Sequence, residues 1–255
     1  MIDLETKYPT AAKLRKALRE TDSRFFAKDN LYDAMSQLEK DATADDIQQR
    51  LVAEATTAFE EVLYTFIVDA ENDPNSKSTP HRLAKMYINE LLEGRYTKAP
   101  KATAFPNEKL AGGDCPSQQM SDNIYHLNNL LVVQAPFKSL CSHHYQVVDA
   151  TAYIGILPGK QVIGLSKYTR LVRHVAARGT LQEELTTAIA DIIQEKSDTP
   201  DIAVVVYGRH GCCEHRGIRV PNSQTATAEM RGLFMEDAAL RSEFMSHVKL
   251  MREEK

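Results

Sequence analysis

The segment Gln146-Val147-Val148-Asp149-Ala150-Thr151-Ala152-Tyr153-Ile154-Gly155-Ile156-Leu157 is the clearest strand signal in the chain. It is rich in Val, Ile and Tyr, and the Pro158-Gly159 pair that follows it is typical of a turn. Asn129–Pro136 and Ile202–Gly208 share this composition. The sequence therefore predicts three strands, at 129–136, 146–157 and 202–208.

Helical patterns surround these strands. Leu165–Arg178 and Thr180–Lys196 are helical in period and meet at Gly179, and a further helix is expected at about Asp237–Met251. The order of helices, strands, a helix pair, a strand and a C-terminal helix indicates an α+β fold. We expect an antiparallel sheet packed with helices.

The first hundred residues read as helices. Thr43–Val68 carries apolar residues at three- and four-residue spacings, and Thr79-Pro80 is typical of a helix start, with Gly94 expected to close that helix. The pattern from Arg95 to Gln119 predicts an irregular connection. We expect a helical N-terminal extension at 1–78 and a second domain, which contains the strands, at 79–255.

Composition excludes several classes of protein. The 255 residues carry a net charge of −4, and 43 % of them are hydrophobic. No apolar run approaches the roughly 18 residues of a membrane span, and the start MIDLETKYPT lacks a signal segment, so a cytoplasmic protein without membrane contact is expected. The absence of a long basic run argues against nucleic-acid binding.

Cysteine and histidine cluster in two segments. The chain has 4 Cys and 8 His, and most of them fall in Cys141–His144 and His210–His215. Cys141 and a histidine three residues later, joined by Cys212 or Cys213, would suit zinc with an open position for water. A closed four-ligand site and a set of small buried thiols are the alternatives.

Two histidines adjoin these ligand candidates. His143 and His210 have an ordinary pKa near neutrality, which suits general acid–base catalysis. A purely structural role is the alternative for each of them taken alone.

The segment after Gly164 offers an anion site. Ser166, Lys167 and Arg170 lie where a strand is expected to lead into a helix, and free backbone N–H groups and cations at a helix start bind phosphate. Arg216 and, less strongly, Arg82 add further cations. Simple helix capping by Ser166 with solvated cations is the alternative.

Thr180-Leu181-Gln182-Glu183 also has two interpretations. It fits a capping box, in which Glu183 bonds the Thr180 amide. Alternatively, the carboxylate of Glu183 and the amide of Gln182 grip the donor edge of guanine.

Taken together, these residues resemble GTP cyclohydrolase I, a family with the tunnelling fold, in which oligomerisation completes a barrel. The resemblance spans about residues 79–245. The matching stretches are Thr79–Tyr87, Leu140–His144, Val162–Lys167 with Arg170, Leu181–Glu183, and His210–Cys212 with Arg216-Gly217.

The resemblance implies hydrolysis of GTP to 7,8-dihydroneopterin triphosphate and formate, as the first step of a pterin, folate or 7-deazapurine pathway. It also implies a homodecamer of two pentamers. The implied roles are zinc ligands Cys141, His144 and Cys212; proton carriers His143 and His210; guanine contacts Gln182 and Glu183; and ribose-triphosphate contacts Ser166, Lys167, Arg170, Arg216 and, from a neighbouring subunit, Arg82.

The chain departs from the family pattern at Ser142, where the family commonly has Glu, and Cys213 adds a second thiol beside a predicted ligand. The Ser142 departure leaves open a relative with altered or arrested ring opening. A non-catalytic GTP-binding regulatory subunit is the other alternative. The sequence assigns no role to Cys115.

Overall fold

The computed structural model describes residues 3–22, 24–107, 130–159 and 161–253. The chain divides into two compact units. One consists of residues 1–98 with 177–179, and the other of residues 99–176 with 180–255. The expected domain boundary at residue 79 falls within the first unit.

The N-terminal unit is helical in the described part. Its long helix begins at the N-cap Thr43, whose hydroxyl accepts from the Asp46 amide while the Asp46 side chain bonds the Thr43 amide, a complete capping box. The helix predicted at 43–68 is thus confirmed. The elements are α1 (Leu4–Lys7), α2 (Pro9–Thr21), α3 (Tyr32–Ser36), α4 (Ala44–Thr65), α5 (Thr79–Lys85), a π-helix (Met86–Leu91) and α6 (Glu93–Tyr96).

The helix that starts at Thr79-Pro80 does not end at Gly94 as predicted. It widens into the π-helical turns of Met86–Leu91, and Gly94 lies within the next helical turn, α6. The Gly94 carbonyl accepts a hydrogen bond from the side-chain amide of Asn30 at 2.8 Å, so this glycine is held by a tertiary contact and does not end the helix. The prediction from Gly94 was therefore wrong.

The segment 177–179 belongs to the N-terminal unit although its chain neighbours belong to the other. Arg178 donates from Nη1 to the Lys28 carbonyl at 3.2 Å. Gly179 adopts a φ of 71°, a left-handed conformation that favours glycine, and this confirms the predicted break between two helices.

The strands of the C-terminal unit are β1 (Ala104–Pro106), β2 (Leu131–Cys141), β3 (Gln146–Ile156), β4 (Gln161–Ile163), β5 (Ile202–His210) and β6 (Thr225–Met230). Four of them form an antiparallel sheet in the order β2-β3-β5-β6. A separate pair joins β1 to β4. All three predicted strands are confirmed, and β4 is the strand that was expected to lead into the helix after Gly164. The sequence missed β1 and β6.

Two of the predicted strand ends were too early. Pro136 does not end β2. This strand lies at the edge of the four-stranded sheet, where proline is tolerated, and Pro136 pairs with Thr151 of β3. Likewise, β5 continues past Gly208 to His210. These extra residues carry both strands to the candidate site.

Helices cover both faces of this sheet. On one face α7 (Leu165–Ala176) and α8 (Gln182–Ser197) pack onto the main apolar core, and the other face carries α10 (Leu233–Glu236) and α11 (Ala238–Glu253). A Cβ at Gly155 would lie 2.6 Å from the Phe244 ring, so the missing side chain lets α11 approach the sheet. The α+β architecture is thereby established.

None of the helices in the described ranges is long and apolar enough to cross a membrane. The predicted irregular connection is described only up to residue 107, where it includes β1. Its remainder, with Cys115, lies outside the described residues.

Tyr168, buried in α7, makes the stability of the protein depend on pH. Burial raises the pKa of Tyr168 to about 12, opposed by a backbone hydrogen bond from Ile163. Between about pH 10 and pH 12 the unfolded chain loses this proton and the folded chain keeps it, so stability falls as pH rises. We expect Tyr168→Phe to flatten this fall in urea unfolding, whereas Tyr64→Phe, at an exposed tyrosine, leaves the slope unchanged. Equal slopes in both variants contradict the assignment.

Candidate active site

Strand register brings the C-terminal ends of β2 and β5 to the same end of the sheet, which is the edge referred to below. Cys141 is the last residue of β2 and faces Gln146 of β3, and His210 is the last residue of β5 and faces Val148 of β3. Cys141 also forms a parallel bridge to Thr180, immediately before α8. The start of α8 therefore lies beside the end of β2.

The short helix α9 (Gly211–Glu214) follows β5 directly and places a second thiol at this edge. The ligand atoms of Cys141, Cys212 and His210 all lie within 4.8 Å of one another. Cys141 is buried, Cys212 is half-buried, and both are free thiols. Two sulfurs and an imidazole nitrogen at this spacing are the donor types that zinc prefers.

The Cys212 thiol depends on a cation for its ionisation. Burial, a hydrogen bond with Cys213 and the adjacent Cys141 raise the pKa of Cys212 to about 11. Cys212 therefore becomes a thiolate at neutral pH only where a bound cation stabilises it. The donor set therefore fits a divalent metal.

The turn between β2 and β3 carries the other sequence-predicted residues. His143 and His144 are both exposed, and their rings meet edge to face at 6.3 Å. His144 lies three residues after Cys141 but is not among the three clustered ligand atoms. The structure thus brings together two of the predicted ligands, Cys141 and Cys212. The third position, expected for His144, is taken by His210.

An ion pair braces the turn that carries Cys212. Arg209 donates from Nε and Nη2 to the two carboxylate oxygens of Glu214 at 3.0 and 3.2 Å. Because Arg209 lies in β5 and Glu214 is the last residue of α9, the ion pair ties the end of β5 to the end of α9. Cys213 lies between Arg209 and Glu214 in the sequence, and its sulfur is 4.0 Å from that of Cys212.

Gln182 and His210 form a direct contact. The Nε2 atom of His210 lies 2.8 Å from Oε1 of Gln182, and Gln182 is only 5 % exposed. Burial lowers the pKa of His210 below its ordinary 6.5, while the nearby Glu183 carboxylate acts in the opposite direction. At neutral pH the imidazole is therefore mainly uncharged.

The capping-box interpretation of Glu183 is wrong. The N-cap of α8 is Leu181, and the Thr180 hydroxyl donates instead to Glu184 at 2.7 Å. Glu183 is exposed on the first turn of α8, and its carboxylate has no hydrogen bond or ion pair within the described ranges. It is thus available to a ligand.

The predicted phosphate-binding residues lie on three separate segments. Ser166, Lys167 and Arg170 occupy the first half of α7, and Arg216 follows α9; all of them are exposed or half-buried. Arg82 belongs to α5 in the N-terminal unit. Among the described residues of the C-terminal unit, no hydrogen bond or ion pair joins Ser166, Lys167, Arg170 and Arg216 to one another.

Sequence analysis missed the residues that support the site. Arg209 and Glu214 carry a recognisable signal, since opposite charges flank the His-Gly-Cys segment. Thr186 and Thr227, which lie behind Gln182, carry none, because their contact joins two elements far apart in sequence.

Comparison with known proteins places this chain in a family. The model of the GTP cyclohydrolase I family matches residues 55–249. A GTP cyclohydrolase 1 of Actinobacillus pleuropneumoniae is 34% identical over 208 residues, covering 81% of this chain and 84% of that protein.

Relatives in two other bacteria agree. A GTP cyclohydrolase 1 of Haemophilus ducreyi is 33% identical and covers 82% of this chain and 85% of its own length. One of Campylobacter jejuni subsp. doylei is also 33% identical, with 74% of this chain and 93% of the relative covered. The chain that carries the clustered thiols and the exposed Glu183 therefore belongs to the GTP cyclohydrolase I family.

Proposed function

We propose that the C-terminal unit performs the reaction of its family at the thiol–imidazole cluster that ends β2 and β5. As a member of that family, the chain is a hydrolase that converts GTP to 7,8-dihydroneopterin triphosphate and formate. The observation that carries the placement is the grouping of Cys141, Cys212 and His210 within 4.8 Å, next to the helix start that bears Glu183.

Zinc is the proposed metal, with Cys141, Cys212 and His144 as its protein ligands. The two thiols are already adjacent, and the exposed His144 side chain can change rotamer within nanoseconds to meet an ion. When bound, zinc supplies a Lewis acid that lowers the pKa of water near C8 of the guanine. His210, whose Nε2 already bonds Gln182, remains a proton carrier in this assignment.

Proton transfer falls to two histidines of this chain. His210 is neutral at physiological pH, so it can take a proton from water and return it to a ring nitrogen of the substrate. His143 is exposed on the neighbouring turn and is the second proposed carrier. Ser142 leaves this turn without the carboxylate common in the family, so these histidines carry the acid–base chemistry.

Guanine recognition is proposed for the first turn of α8. The Glu183 carboxylate is an acceptor for the N1–H and 2-amino groups of guanine. The backbone N–H of Gln182, in a helix start that lacks a side-chain cap, is a donor for O6. Through this backbone N–H, and not through its side chain, Gln182 keeps the guanine contact that the family resemblance implies.

The triphosphate is proposed to bind Ser166, Lys167, Arg170 and Arg216, with Arg82 added from a neighbouring subunit. Ser139, two residues before Cys141, donates to the carbonyl of Ala176 at the C-terminal end of α7. Ser166 lies ten residues earlier, or about 15 Å along the helix axis. This separation supports a site in which one copy supplies the metal cluster and a neighbouring copy supplies the start of α7.

Such sharing requires an oligomer, and we propose the homodecamer of two pentamers, with strand pairing between copies completing the barrel. The open edges of the sheet, β2 and β6, are the available pairing surfaces. A cytoplasmic location and a product used in pterin, folate or 7-deazapurine synthesis complete the proposal.

The activity is tested with GTP and with ITP, which lacks the 2-amino group. We expect the zinc-loaded, reduced protein to release formate and a pterin from GTP. Glu183→Gln should raise the KM for GTP about 10- to 100-fold, since charge-assisted hydrogen bonds contribute about 1.5–3 kcal/mol, and should abolish the preference for GTP over ITP. No product from the wild-type protein would sink the proposed function.

Zinc content separates the two candidate histidine ligands. We expect His144→Ala to lose zinc after dialysis against a weak chelator, because a coordinating nitrogen is removed. His210→Ala should retain zinc but lose turnover by about 100-fold or more. His247→Ala, at an exposed histidine of α11, is the control for both measurements. Retention by His144→Ala with loss from His210→Ala would reassign the third ligand.

A shared site is tested by mixing two inactive variants. Cys141→Ala removes a metal ligand and Arg170→Ala removes a phosphate contact, so each homogeneous protein should be nearly inactive. If each site draws on two copies, random co-assembly leaves about a quarter of the sites with neither lesion, and activity returns. A mixture that stays as inactive as its parts means that a single copy builds the whole site.

A further inference from the structure

We propose that the Gln182 side chain is a positioning residue that fixes the tautomer and orientation of His210, rather than a contact to the substrate. This inference rests on the proposed function in that it gives His210 a reaction to serve. The proposal is supported by the hydrogen bonds that the Gln182 side-chain amide makes to residues of β5 and β6.

The orientation of the Gln182 amide follows from its partners. Nε2 lies 3.2 Å from the Val206 carbonyl, 3.1 Å from the Thr225 carbonyl and 3.1 Å from the Thr227 hydroxyl. Carbonyl oxygens only accept hydrogen bonds, so the NH2 group must point at them. Its two hydrogens are shared among these three acceptors, and Oε1 is left facing His210.

The tautomer of His210 follows in turn. Oε1 of Gln182 is only an acceptor, so the His210 Nε2 atom, 2.8 Å away, must carry the hydrogen. In the neutral imidazole this leaves Nδ1 with the lone pair. Gln182 therefore fixes which ring nitrogen of His210 carries the hydrogen and which keeps a free lone pair.

Two threonines continue the chain of bonds and give it one direction. The Thr186 hydroxyl donates to the main-chain carbonyl of Gln182 at 2.8 Å, so its oxygen must accept from the Thr227 hydroxyl 2.6 Å away. Thr227 thus uses its hydrogen on Thr186 and offers a lone pair to the Gln182 amide. Every hydrogen in the chain has an assigned acceptor, which locks the amide in one orientation.

Burial separates the tasks of two adjacent residues. Gln182 is 5 % exposed and its amide is used within the protein, whereas Glu183 is exposed and its carboxylate faces no partner within the described ranges. Glu183 meets the base directly in the proposed site. Gln182 acts through His210, in the way that an outer partner orients an active-site imidazole.

The kinetic test uses Gln182→Met, which keeps the length of the side chain and removes its hydrogen bonds. We expect kcat for GTP to fall about 10-fold or more while KM stays within about threefold, because proton transfer and not binding is impaired. Thr227→Val, which leaves Gln182 in place, should lower kcat by a smaller factor in the same direction. Thr187→Val, at an exposed hydroxyl of the same helix, should match the wild type.

A spectroscopic measurement tests the same claim without turnover. Solid-state NMR of the zinc-loaded protein with ¹⁵N-labelled histidine, assigned by difference from His210→Gln, should show a protonated Nε2 at His210. Gln182→Met should reduce this signal and introduce the Nδ1–H tautomer. A purely structural contribution of Gln182 would lower the melting temperature but would leave the tautomer unchanged.

The possible results separate the two proposals. A KM that rises 10-fold or more with kcat retained makes the Gln182 side chain a guanine contact and overturns the positioning role. An unchanged His210 signal in Gln182→Met overturns it as well. A wild-type protein that shows the Nε2–H signal but does not turn over GTP contradicts the proposed function alone.

Discussion

The pairing of β3 with β2 on one side and with β5 on the other is the constraint on which the site depends. Cys141 and His210 are 69 positions apart in the chain, and only this double pairing brings the ends of their strands to one edge. The bridge from Cys141 to Thr180 adds the start of α8 to the same edge. A one-residue shift in either pairing would turn Cys141 or His210 to the opposite face of the sheet.

Burial affects two groups of the cluster in the same sense. Burial and neighbouring thiols keep the pKa of Cys212 high, so its sulfur is a poor ligand until an ion binds. Burial also keeps His210 neutral. A surrounding of low polarity thus favours the protonated thiol and the uncharged imidazole.

The sequence could predict whatever depends on local pattern. The strand at 146–157, the helix after Thr43 and the break at Gly179 all follow from composition, capping and turn chemistry, and the structure confirms them. The end of β2 was misjudged at Pro136 because edge position is a property of the sheet and not of the segment. The missed strand β6 has little apolar signal, as most of its residues are exposed or half-buried.

The site was predictable to the extent that its residues form motifs. Cys141, Cys212 and His210 stand in short segments of Cys and His, and the structure brings them together. The role of Gln182 could not be read in this way, since it depends on carbonyls of β5 and β6 and on a threonine pair that joins α8 to β6. Glu183 was ambiguous between a cap and a ligand until the Thr180 hydroxyl was found on Glu184.

The placement of residues 177–179 has a consequence for modularity. These residues complete the N-terminal unit, yet they connect α7 to α8, the helices that carry the proposed phosphate and guanine contacts. A gene fragment ending at residue 98 would encode that unit without Arg178 and its bond to Lys28. The boundary between the two units therefore does not coincide with a single point in the chain, and a cut at residue 98 separates the N-terminal unit from one of its own segments.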